Sequence, residues 1–334
     1  MGKKVRVAII GCGGMARYHI RQMLKQDDNT EIAVIFEPLD DHYQLAANLF
    51  KAAGQPVPPN EHDMHRLLHD YALDAGFIIS PHAFHHEEAK ACLEAGLDVL
   101  LEKPMVMNAK EALNLMEARQ RAGKLLVVAF PGSLSLNIRT AVNMLRGGDL
   151  GKLISVSATA WQDWGPNTIG TWRQDLAISG GGFLFDTGAH LLNTVVDLAG
   201  EDFVEVAAWL DNYHRPVEIL GAVIGRLESG ALVTLHGCGE AVRGSTDSEI
   251  RVFCSKGNLL TGIWGERLLL QKEGRRQMRK VDVPSSLGVW EQFLAVREGK
   301  IANPCPPEVG MRMARLYDAI VASSAKNGQP VKCK

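Results

Sequence analysis

The sequence predicts an α/β protein of two domains, with a parallel sheet first and a large, open, mainly antiparallel sheet second. The first 130 residues alternate short apolar runs with helical patterns, which is typical of a parallel sheet covered by helices on both faces. After Phe130 the candidate strands become longer and are separated by short turn signals, as in an antiparallel sheet. A length of 334 residues suits two domains of roughly 150 residues, which we place at residues 1–130 and 131–334.

Apolar runs and helical spacing define the elements of the first domain. Its buried strands are predicted at Val5–Ile10, Ile32–Phe36, Phe77–Ser80, Val99–Leu101 and Leu125–Phe130. Its helices are predicted at Met15–Lys25, Leu39–Ala53, His85–Glu94 and Lys110–Ala122. Strands that alternate with helices in this way favour a doubly wound arrangement.

The second domain is predicted to be of the α+β class. A helix at Ser135–Leu145 precedes its sheet and a helix at Glu308–Ala325 follows it. The strands are predicted at Leu153–Trp161, Glu205–Leu210, Ile219–Leu227, Ala231–Gly237, Glu249–Cys254, Leu259–Gly262 and Leu268–Gln271. An antiparallel sheet needs its apolar face covered, so we expect a homodimer or homotetramer formed through this sheet.

Composition excludes several classes of function. The formal net charge is -2 and no basic block is present, so neither nucleic acid nor a membrane surface is an expected partner. No apolar run approaches the ~20 residues of a membrane span. The six cysteines are scattered without a C-x-x-C pair, which favours reduced thiols and a cytoplasmic protein. No cysteine or carboxylate completes a ligand set around the clustered histidines, so no metal is expected.

A glycine-rich turn follows the first predicted strand. It reads Gly11-Cys12-Gly13-Gly14-Met15-Ala16, a G-x-G-x-x-A pattern between a strand and a helix. In this pattern the first glycine allows a tight turn, the second lets the backbone approach a pyrophosphate, and the helix N-terminus attracts the phosphate charge. We therefore expect Gly11, Gly13, Gly14 and Met15 to bind a dinucleotide, the alternative being a tight turn of structural importance only.

The acid after the second predicted strand bears on which dinucleotide binds. Glu37 follows the glycines by about 20 residues, the position from which an acid bonds the adenosine ribose hydroxyls. Its negative charge disfavours a 2′-phosphate, so the sequence favours NAD over NADP. The alternative is a solvated acid at the end of a strand.

Two ionisable pairs are candidates for the chemistry. Glu102 and Lys103 end a buried strand, where ligands of parallel sheets bind, and the alternative is a surface salt bridge. Asp186 and His190 follow three glycines and stand four residues apart. If this segment is helical, both side chains lie on one helix face, an arrangement suited to moving a proton.

Aromatic residues cluster before the second pair. Trp161, Asp163, Trp164 and Trp172 fall between the first strand of the second domain and the glycines. Indole rings offer flat apolar surfaces for a sugar ring, and a carboxylate binds hydroxyl groups, so the first three are candidate substrate residues. The alternative is an aromatic core or a subunit interface.

The order and spacing of four sequence blocks resemble one enzyme family over nearly the whole chain. The blocks are GCGGMA, SPHAFHHEEAKACLEAGLDVLLEKP, GDLGKL and WRQDLAISGGGFLFDTGAHLLNTVVD. They are similar to those of the glucose–fructose oxidoreductase, inositol dehydrogenase and rhizopine catabolism family, Gfo/Idh/MocA. The resemblance implies an N-terminal Rossmann domain that binds NAD(P) and a C-terminal domain that binds substrate.

The resemblance also implies roles for individual residues. Lys103 matches the lysine of the family's E-K-P motif, which shares in proton transfer at the reacting carbon. Asp186 and His190 match its D-x-x-x-H pair, in which the histidine is commonly the general base and the aspartate binds substrate. The expected cofactor contacts beyond the glycine turn are Pro81, His82, His85, Glu102, Lys103, Trp172 and Arg173.

The sequence departs from the family pattern at two places. His82 stands where the family often has asparagine, and the arginine that usually follows the last strand of the first domain is missing after Phe130. The second departure disfavours a phosphorylated or strongly anionic substrate. The resemblance implies a small-molecule substrate that is a sugar, polyol or inositol-like alcohol.

The sequence predicts an NAD(P)-dependent oxidoreductase that transfers hydride from a secondary alcohol, with proton transfer by Lys103 and His190. One alternative is an enzyme that retains its cofactor and uses transient oxidation to drive elimination or epimerisation of a sugar. Another is a dinucleotide-dependent sensor without catalysis, which would need the glycine turn but not the three ionisable residues together.

Overall fold

The computed structural model describes residues 4–26 and 28–333 and consists of two compact units. Unit 1 contains the chain up to Val106, then Glu111–Ala129 and Leu287–Pro307. Unit 2 contains Met107–Lys110, Phe130–Ser286 and the chain from Glu308 onward. The division predicted from the sequence is a single cut after residue 130, whereas the chain of the structure enters unit 1 again at Leu287.

The helices and strands of the described residues are numbered in chain order. The strands are β1 Val5–Ile10, β2 Thr30–Phe36, β3 Ala75–Ile78, β4 Asp98–Leu101, β5 Leu126–Val128, β6 Leu153–Gln162, β7 Phe203–Asp211, β8 Leu220–Leu227, β9 Leu232–Cys238, β10 Thr246–Cys254, β11 Gly257–Thr261, β12 Leu268–Lys272, β13 Arg279–Lys280 and β14 Val331–Lys332. The helices are α1 Gly14–Met23, α2 Asp40–Ala52, α3 Met64–Asp70, α4 His82–Glu94, α5 Ala109–Ala122, α6 Pro131–Leu134, α7 Leu136–Arg146, α8 Trp164–Asn167, α9 Leu176–Ser179, α10 Gly188–Ala199, α11 Val289–Arg297 and α12 Pro307–Ser324.

Unit 1 is built on a parallel sheet with the strand order β2-β1-β3-β4-β5. The strands β3 and β5 are completely buried because a parallel sheet is covered on both faces, whereas the edge strand β2 is largely half-buried. The strand order reverses between β1 and β3, and in such sheets ligands bind outside the carboxyl ends of the strands at that point. The prediction of a Rossmann-like first domain is confirmed.

Unit 2 is built on a sheet whose strand order in the described chain is β13-β12-β11-β10-β6-β9-β8-β7-β14. Its neighbouring strands pair antiparallel except β6 and β9, which pair parallel. From Gly221 to Leu227 the residues of β8 alternate between buried and exposed, as expected for a sheet with one face on the core. The prediction of a mainly antiparallel second sheet is confirmed.

Several short elements were not predicted from the sequence. The helices α6, α8 and α9 have four residues each, too few for a helical period to be visible. Within the described residues, no helix combines the length and the apolar character that crossing a membrane requires.

The helix α11 was also missed, and its main aromatic residue is part of the core of unit 1. Trp290 is 2% exposed and its ring stacks on Phe77 and Phe293, with centroids 6.1 and 5.0 Å away. Its indole Nε1 donates a hydrogen bond to Oγ1 of Thr30, at 2.7 Å. A contact between residues 260 positions apart has no local signature in the sequence.

We expect Trp290→Ala to lower the free energy of unfolding of unit 1 by roughly 3–5 kcal/mol, because it leaves a large cavity in a buried aromatic stack. Guanidinium unfolding followed by far-UV circular dichroism measures this loss. The control is Leu113→Ala, since Leu113 is 52% exposed on α5 and should change stability by less than about 0.5 kcal/mol. Equal losses in the two variants would contradict a core role for α11.

Candidate active site

The glycine turn after β1 requires glycine at its first position. Gly11 has φ +91, and a Cβ there would lie 2.9 Å from both the carbonyl oxygen of Ile79 and the nitrogen of Ser80. A side chain would therefore be strained by the backbone conformation and would collide with the end of β3. This glycine lets the ends of β1 and β3 approach each other at the sheet's reversal point.

The rest of the turn is open, and it fits a pyrophosphate. A Cβ built on Gly13 or Gly14 would meet nothing within 4 Å, and Met15 is 49% exposed. The ten-residue helix α1 begins here, and the amide groups of its first turn point out of the helix end. Such an end binds anions through its N–H groups and its dipole. Burial raises the pKa of the Cys12 thiol to about 12, which makes it a space-filling residue of the turn.

Glu37 holds the turn as well as marking the end of β2. Its carboxylate is 5% exposed and accepts hydrogen bonds from the backbone N–H of Cys12, at 2.6 Å, and of Leu39, at 3.0 Å. The acid predicted to bind the adenosine ribose is therefore held to the glycine turn by one charge-assisted bond, from Cys12, and to the segment after β2 by a second, from Leu39. Its contact with the ribose remains a prediction.

The histidines after β3 are more deeply buried than expected for cofactor contacts. His82 is 4% exposed, and its ring centroid lies 5.8 Å from that of His85. His85 is 0% exposed, with Nδ1 2.7 Å from the carbonyl oxygen of Pro104 and Nε2 2.9 Å from that of Ser80. Both ring nitrogens of His85 therefore face backbone carbonyls, and its contact with the cofactor remains a prediction. Pro81 precedes α4 as its N-cap.

The backbone of Lys103 is held by a buried carboxylate. Glu102 is 8% exposed, accepting the Lys103 N–H on Oε2 at 3.0 Å and lying 2.7 Å through Oε1 from Nε2 of His19. Burial alone would raise the pKa of Glu102, but the hydrogen bond and charge of His19, together with Lys103, outweigh it and lower that pKa. Glu102, expected near the nicotinamide ribose, thus has protein donors on both carboxylate oxygens.

In unit 2, Asp186 accepts two hydrogen bonds on one oxygen. Its Oδ2 lies 2.9 Å from Nε1 of Trp164 and 2.9 Å from Nε of Arg173, while the residue is 4% exposed. Arg173 also lies over the ring of Trp172, 4.6 Å from its centroid. Arg173, expected at the cofactor, is therefore paired with the predicted catalytic aspartate.

Trp164, a candidate substrate residue, packs in the core of unit 2. It is 4% exposed and packs in a buried cluster with Phe183, Val217 and Ile219. Its indole N–H is directed at Asp186, and contact of its ring with substrate remains a prediction.

The other two candidate substrate residues lie along β6 and its end. Asp163 accepts the N–H of Gly244 at 2.7 Å, and this bond lowers the pKa of its carboxyl. Trp161 is half-buried and pairs with Asp247 on β10 and Cys238 on β9. Asp163 thus holds the connection between β9 and β10, and substrate contact by either residue remains a prediction.

The helix that carries His190 begins after Asp186, so the conditional prediction of one shared helix face is wrong. Asp186 lies in the preceding turn, where the N–H of Gly188 bonds to the carbonyl of Phe183 at 2.7 Å across five residues. This wide turn interrupts helical spacing between the two side chains. His190 is 8% exposed, between the rings of Phe130 and Trp264, each with its centroid 5.9 Å away.

A buried acid that sequence reasoning missed supports this turn. Glu218 is 5% exposed, and its carboxylate accepts the N–H of Gly182 at 2.5 Å and the hydroxyl of Tyr317 at 3.1 Å. Burial raises the pKa of Glu218. A Cβ on Gly182 would lie 1.9 Å from the carbonyl oxygen of Glu218. The glycine run was the available signal, because it indicates a close approach of backbone.

A second missed group supports the His190 helix. Asp197 is 1% exposed and accepts hydrogen bonds from Ser133, at 2.7 Å, and from Arg139. Ser133 in turn accepts one from Asn193, at 2.9 Å. Asn193 and Asp197 follow His190 by three and seven residues on α10, so this network fixes the rotation of the helix. Among the described residues, no group of three or more metal-ligand side chains is present.

The family is established by comparison with known proteins. A model described as the oxidoreductase family with an NAD-binding Rossmann fold matches residues 5–130. A model described as the GFO/IDH/MocA C-terminal domain matches residues 138–260. The chain belongs to the GFO/IDH/MocA family. This confirms the resemblance seen in the sequence and makes unit 1 an NAD-binding domain.

Individual relatives are distant. The chain is 28% identical to the D-glucoside 3-dehydrogenase of Escherichia coli over 59% of this chain and 54% of that protein. It is 27% identical to the myo-inositol 2-dehydrogenase of Thermotoga maritima over 76% of this chain and 74% of that protein. The aligned part spans about half the length of several curated relatives. A solved levoglucosan dehydrogenase in complex with NADH and levoglucosan shares the fold, with a TM-score of 0.85, 23% identity and coverage of 99% of this chain and 100% of that one.

We expect Glu37→Gln to weaken NADH binding about tenfold and to move the preference toward NADPH. Replacing the carboxylate with an amide weakens the charge-assisted bond that holds the Cys12 N–H of the turn, and it removes the negative charge that opposes a 2′-phosphate. Fluorescence titration with NADH and NADPH measures both effects. The control is Asp40→Asn, since that nearby carboxylate is 83% exposed and does not hold the turn. An unchanged ratio of the two affinities in Glu37→Gln would contradict the assigned role.

Proposed function

We propose that the protein is an NAD-dependent dehydrogenase that oxidises a secondary alcohol of a sugar, polyol or inositol. The observation that carries the proposal is the combination, in one GFO/IDH/MocA chain, of a glycine turn shaped for a pyrophosphate with two proton-transfer groups, Lys103 and His190. Lys103 directly follows a buried, hydrogen-bonded carboxylate, Glu102, and another such carboxylate, Asp197, fixes the helix that carries His190. A sensor without catalysis would not require this combination.

In the proposed mechanism, His190 accepts the hydroxyl proton of the substrate, and Lys103 hydrogen-bonds to the same oxygen. NAD, held by the glycine turn and Glu37, supplies the hydride acceptor when it is bound. Asp186, with its charge partly balanced by Arg173, binds a substrate hydroxyl and influences the charge at His190. Acid–base assistance of this kind accelerates a reaction by roughly 10²–10⁴-fold.

The substrate class is proposed from the names of the relatives and from the lack of an arginine after β5. The relatives act on glucosides, levoglucosan and inositols, according to their names. The segment after β5 includes Phe130-Pro131-Gly132 and lacks the arginine that would favour a phosphorylated substrate. A neutral polyhydroxylated ring therefore suits this chain better than an anionic one.

A panel of sugars, polyols and inositols, each with NAD and with NADP, tests the proposal through NADH absorbance and product analysis. Net NADH with one neutral substrate supports it. Conversion of a sugar without net NADH would replace it with the redox-cycling alternative. Tight NAD binding with no conversion of any compound would favour the dinucleotide sensor.

We expect Lys103→Ala and His190→Ala each to lower kcat by about 10²–10⁴-fold and to change the Kd for NADH by less than about threefold. Both side chains are proposed to act on the substrate proton and not to hold the dinucleotide. Steady-state kinetics and NADH titration separate the two effects. The controls are Lys51→Ala and His69→Ala, because both residues are exposed on helices of unit 1. Unchanged turnover in either active-site variant would remove that residue from the mechanism.

We also propose that a second copy of this chain covers the exposed face of the unit 2 sheet. Trp209, Ile224 and Leu232 lie on the neighbouring strands β7, β8 and β9 and are 55%, 53% and 49% exposed. Strand alternation places them on the same face. Apolar side chains of three adjacent strands form the kind of patch that subunit interfaces use.

The double variant Ile224→Glu/Leu232→Glu is expected to dissociate the oligomer, because it places two charges in the proposed interface. Light scattering after size exclusion measures the mass. The control is Leu113→Glu, an equally exposed apolar position in unit 1. A mass that stays oligomeric in the double variant would place the interface elsewhere, and a monomeric wild type would reject it.

A further inference from the structure

His19 connects the helix of the dinucleotide turn with the residue before Lys103. It lies in the second turn of α1, is 5% exposed, and packs its ring 4.9 Å from that of Phe77. Its Nε2 is 2.7 Å from Oε1 of Glu102, 83 residues later in the chain. A buried ionised carboxylate only accepts hydrogen bonds, so His19 must carry a proton on Nε2.

The carboxylate of Glu102 passes this constraint on to Lys103. Its second oxygen, Oε2, accepts the backbone N–H of Lys103 at 3.0 Å. The N–H of Glu102 itself donates a hydrogen bond to the carbonyl of Ile78 at 2.9 Å, which extends the pairing of β3 with β4 by one residue. The Lys103 amide is thus fixed by a side chain that is itself fixed by α1.

The backbone on the other side of Lys103 is fixed as well. The carbonyl oxygen of Pro104 lies 2.7 Å from Nδ1 of His85, which is buried in α4. Lys103 is therefore held between two histidine contacts, one from the helix of the dinucleotide turn and one from the helix after β3. Three titratable side chains interact electrostatically with the Glu102 carboxylate. They are those of His19, His85 and Lys103.

We propose that His19 is a positioning residue for Lys103. By holding the Glu102 carboxylate, it sets the backbone from which the Lys103 side chain extends and joins it to the helix that begins at the dinucleotide turn. The expected effect of His19 on turnover rests on the proposed dehydrogenase function. Its effect on the position of the Lys103 backbone does not depend on that function.

Three substitutions separate the hydrogen bond of His19 from its packing. His19→Phe keeps an aromatic ring against Phe77 but has no donor. His19→Gln loses the ring but places an amide N–H near the position of Nε2. His19→Asn is too short to reach Glu102. If the hydrogen bond matters, Phe and Asn should behave alike and Gln should resemble the wild type, whereas a packing role predicts that Phe resembles the wild type.

Hydrogen exchange of the peptide that contains Lys103 gives a readout without substrate. We expect the Lys103 amide to exchange about fivefold faster in His19→Phe and His19→Asn, because its acceptor is no longer held, and near the wild-type rate in His19→Gln. An unchanged rate in the Phe and Asn variants would overturn the proposal. This result does not depend on finding a substrate, so its failure is distinct from failure of the dehydrogenase proposal.

Kinetics on a substrate from the panel give the second readout. We expect kcat to fall roughly 10–100-fold in His19→Phe with the NADH Kd changed less than about threefold, since a misplaced catalytic group reduces turnover more than binding. Loss of His19 also raises the pKa of Glu102, so the acid limb of kcat/KM should move to higher pH in His19→Phe and less in His19→Gln. A fall in NADH affinity with unchanged kcat would overturn the assignment to Lys103.

Discussion

The constraint on which the functional part of this protein depends is that a buried carboxylate must find hydrogen-bond donors. Glu37, Glu102 and Asp186 are all less than 9% exposed, and each accepts N–H donors from a different part of its own unit. Leaving such a group without donors would be strongly unfavourable in a low-dielectric interior. Each acid therefore determines the position of the backbone or side chain that supplies its donors, including the glycine turn and the amide of Lys103.

The sequence was informative where function is encoded locally. The turn at Gly11 needs a positive φ and a missing Cβ, and both requirements are visible as glycine between an apolar run and a helical pattern. The parallel sheet was predicted from short apolar strands that alternate with helices, and the antiparallel sheet from longer strands separated by short turn signals. The end of β4 marked Lys103 because ligands gather at the carboxyl ends of parallel strands.

The sequence was not informative where partners are distant along the chain. His19 and Glu102 are 83 residues apart, Glu218 and Tyr317 are 99 residues apart, and no local pattern relates the members of either pair. Trp164 is a further example of a residue whose environment depends on distant parts of the chain. A tryptophan is equally suited to a sugar-binding surface and to a core. The packing of Trp164 against Phe183 and Val217 is a tertiary contact that the sequence does not reveal.

Each of the two proton-transfer candidates, His190 and Lys103, is oriented by a buried carboxylate that accepts hydrogen bonds. Eleven of the twelve residues of α10 are buried, so the helix has no solvent-facing side on which Asp197 could be hydrated. Asp197 can be buried on this helix because Arg139 and Ser133 donate hydrogen bonds to it. Rotation of the helix would break these hydrogen bonds. Because His190 lies on the same rigid helix, its direction follows from that pairing, just as the backbone of Lys103 follows from the carboxylate of Glu102.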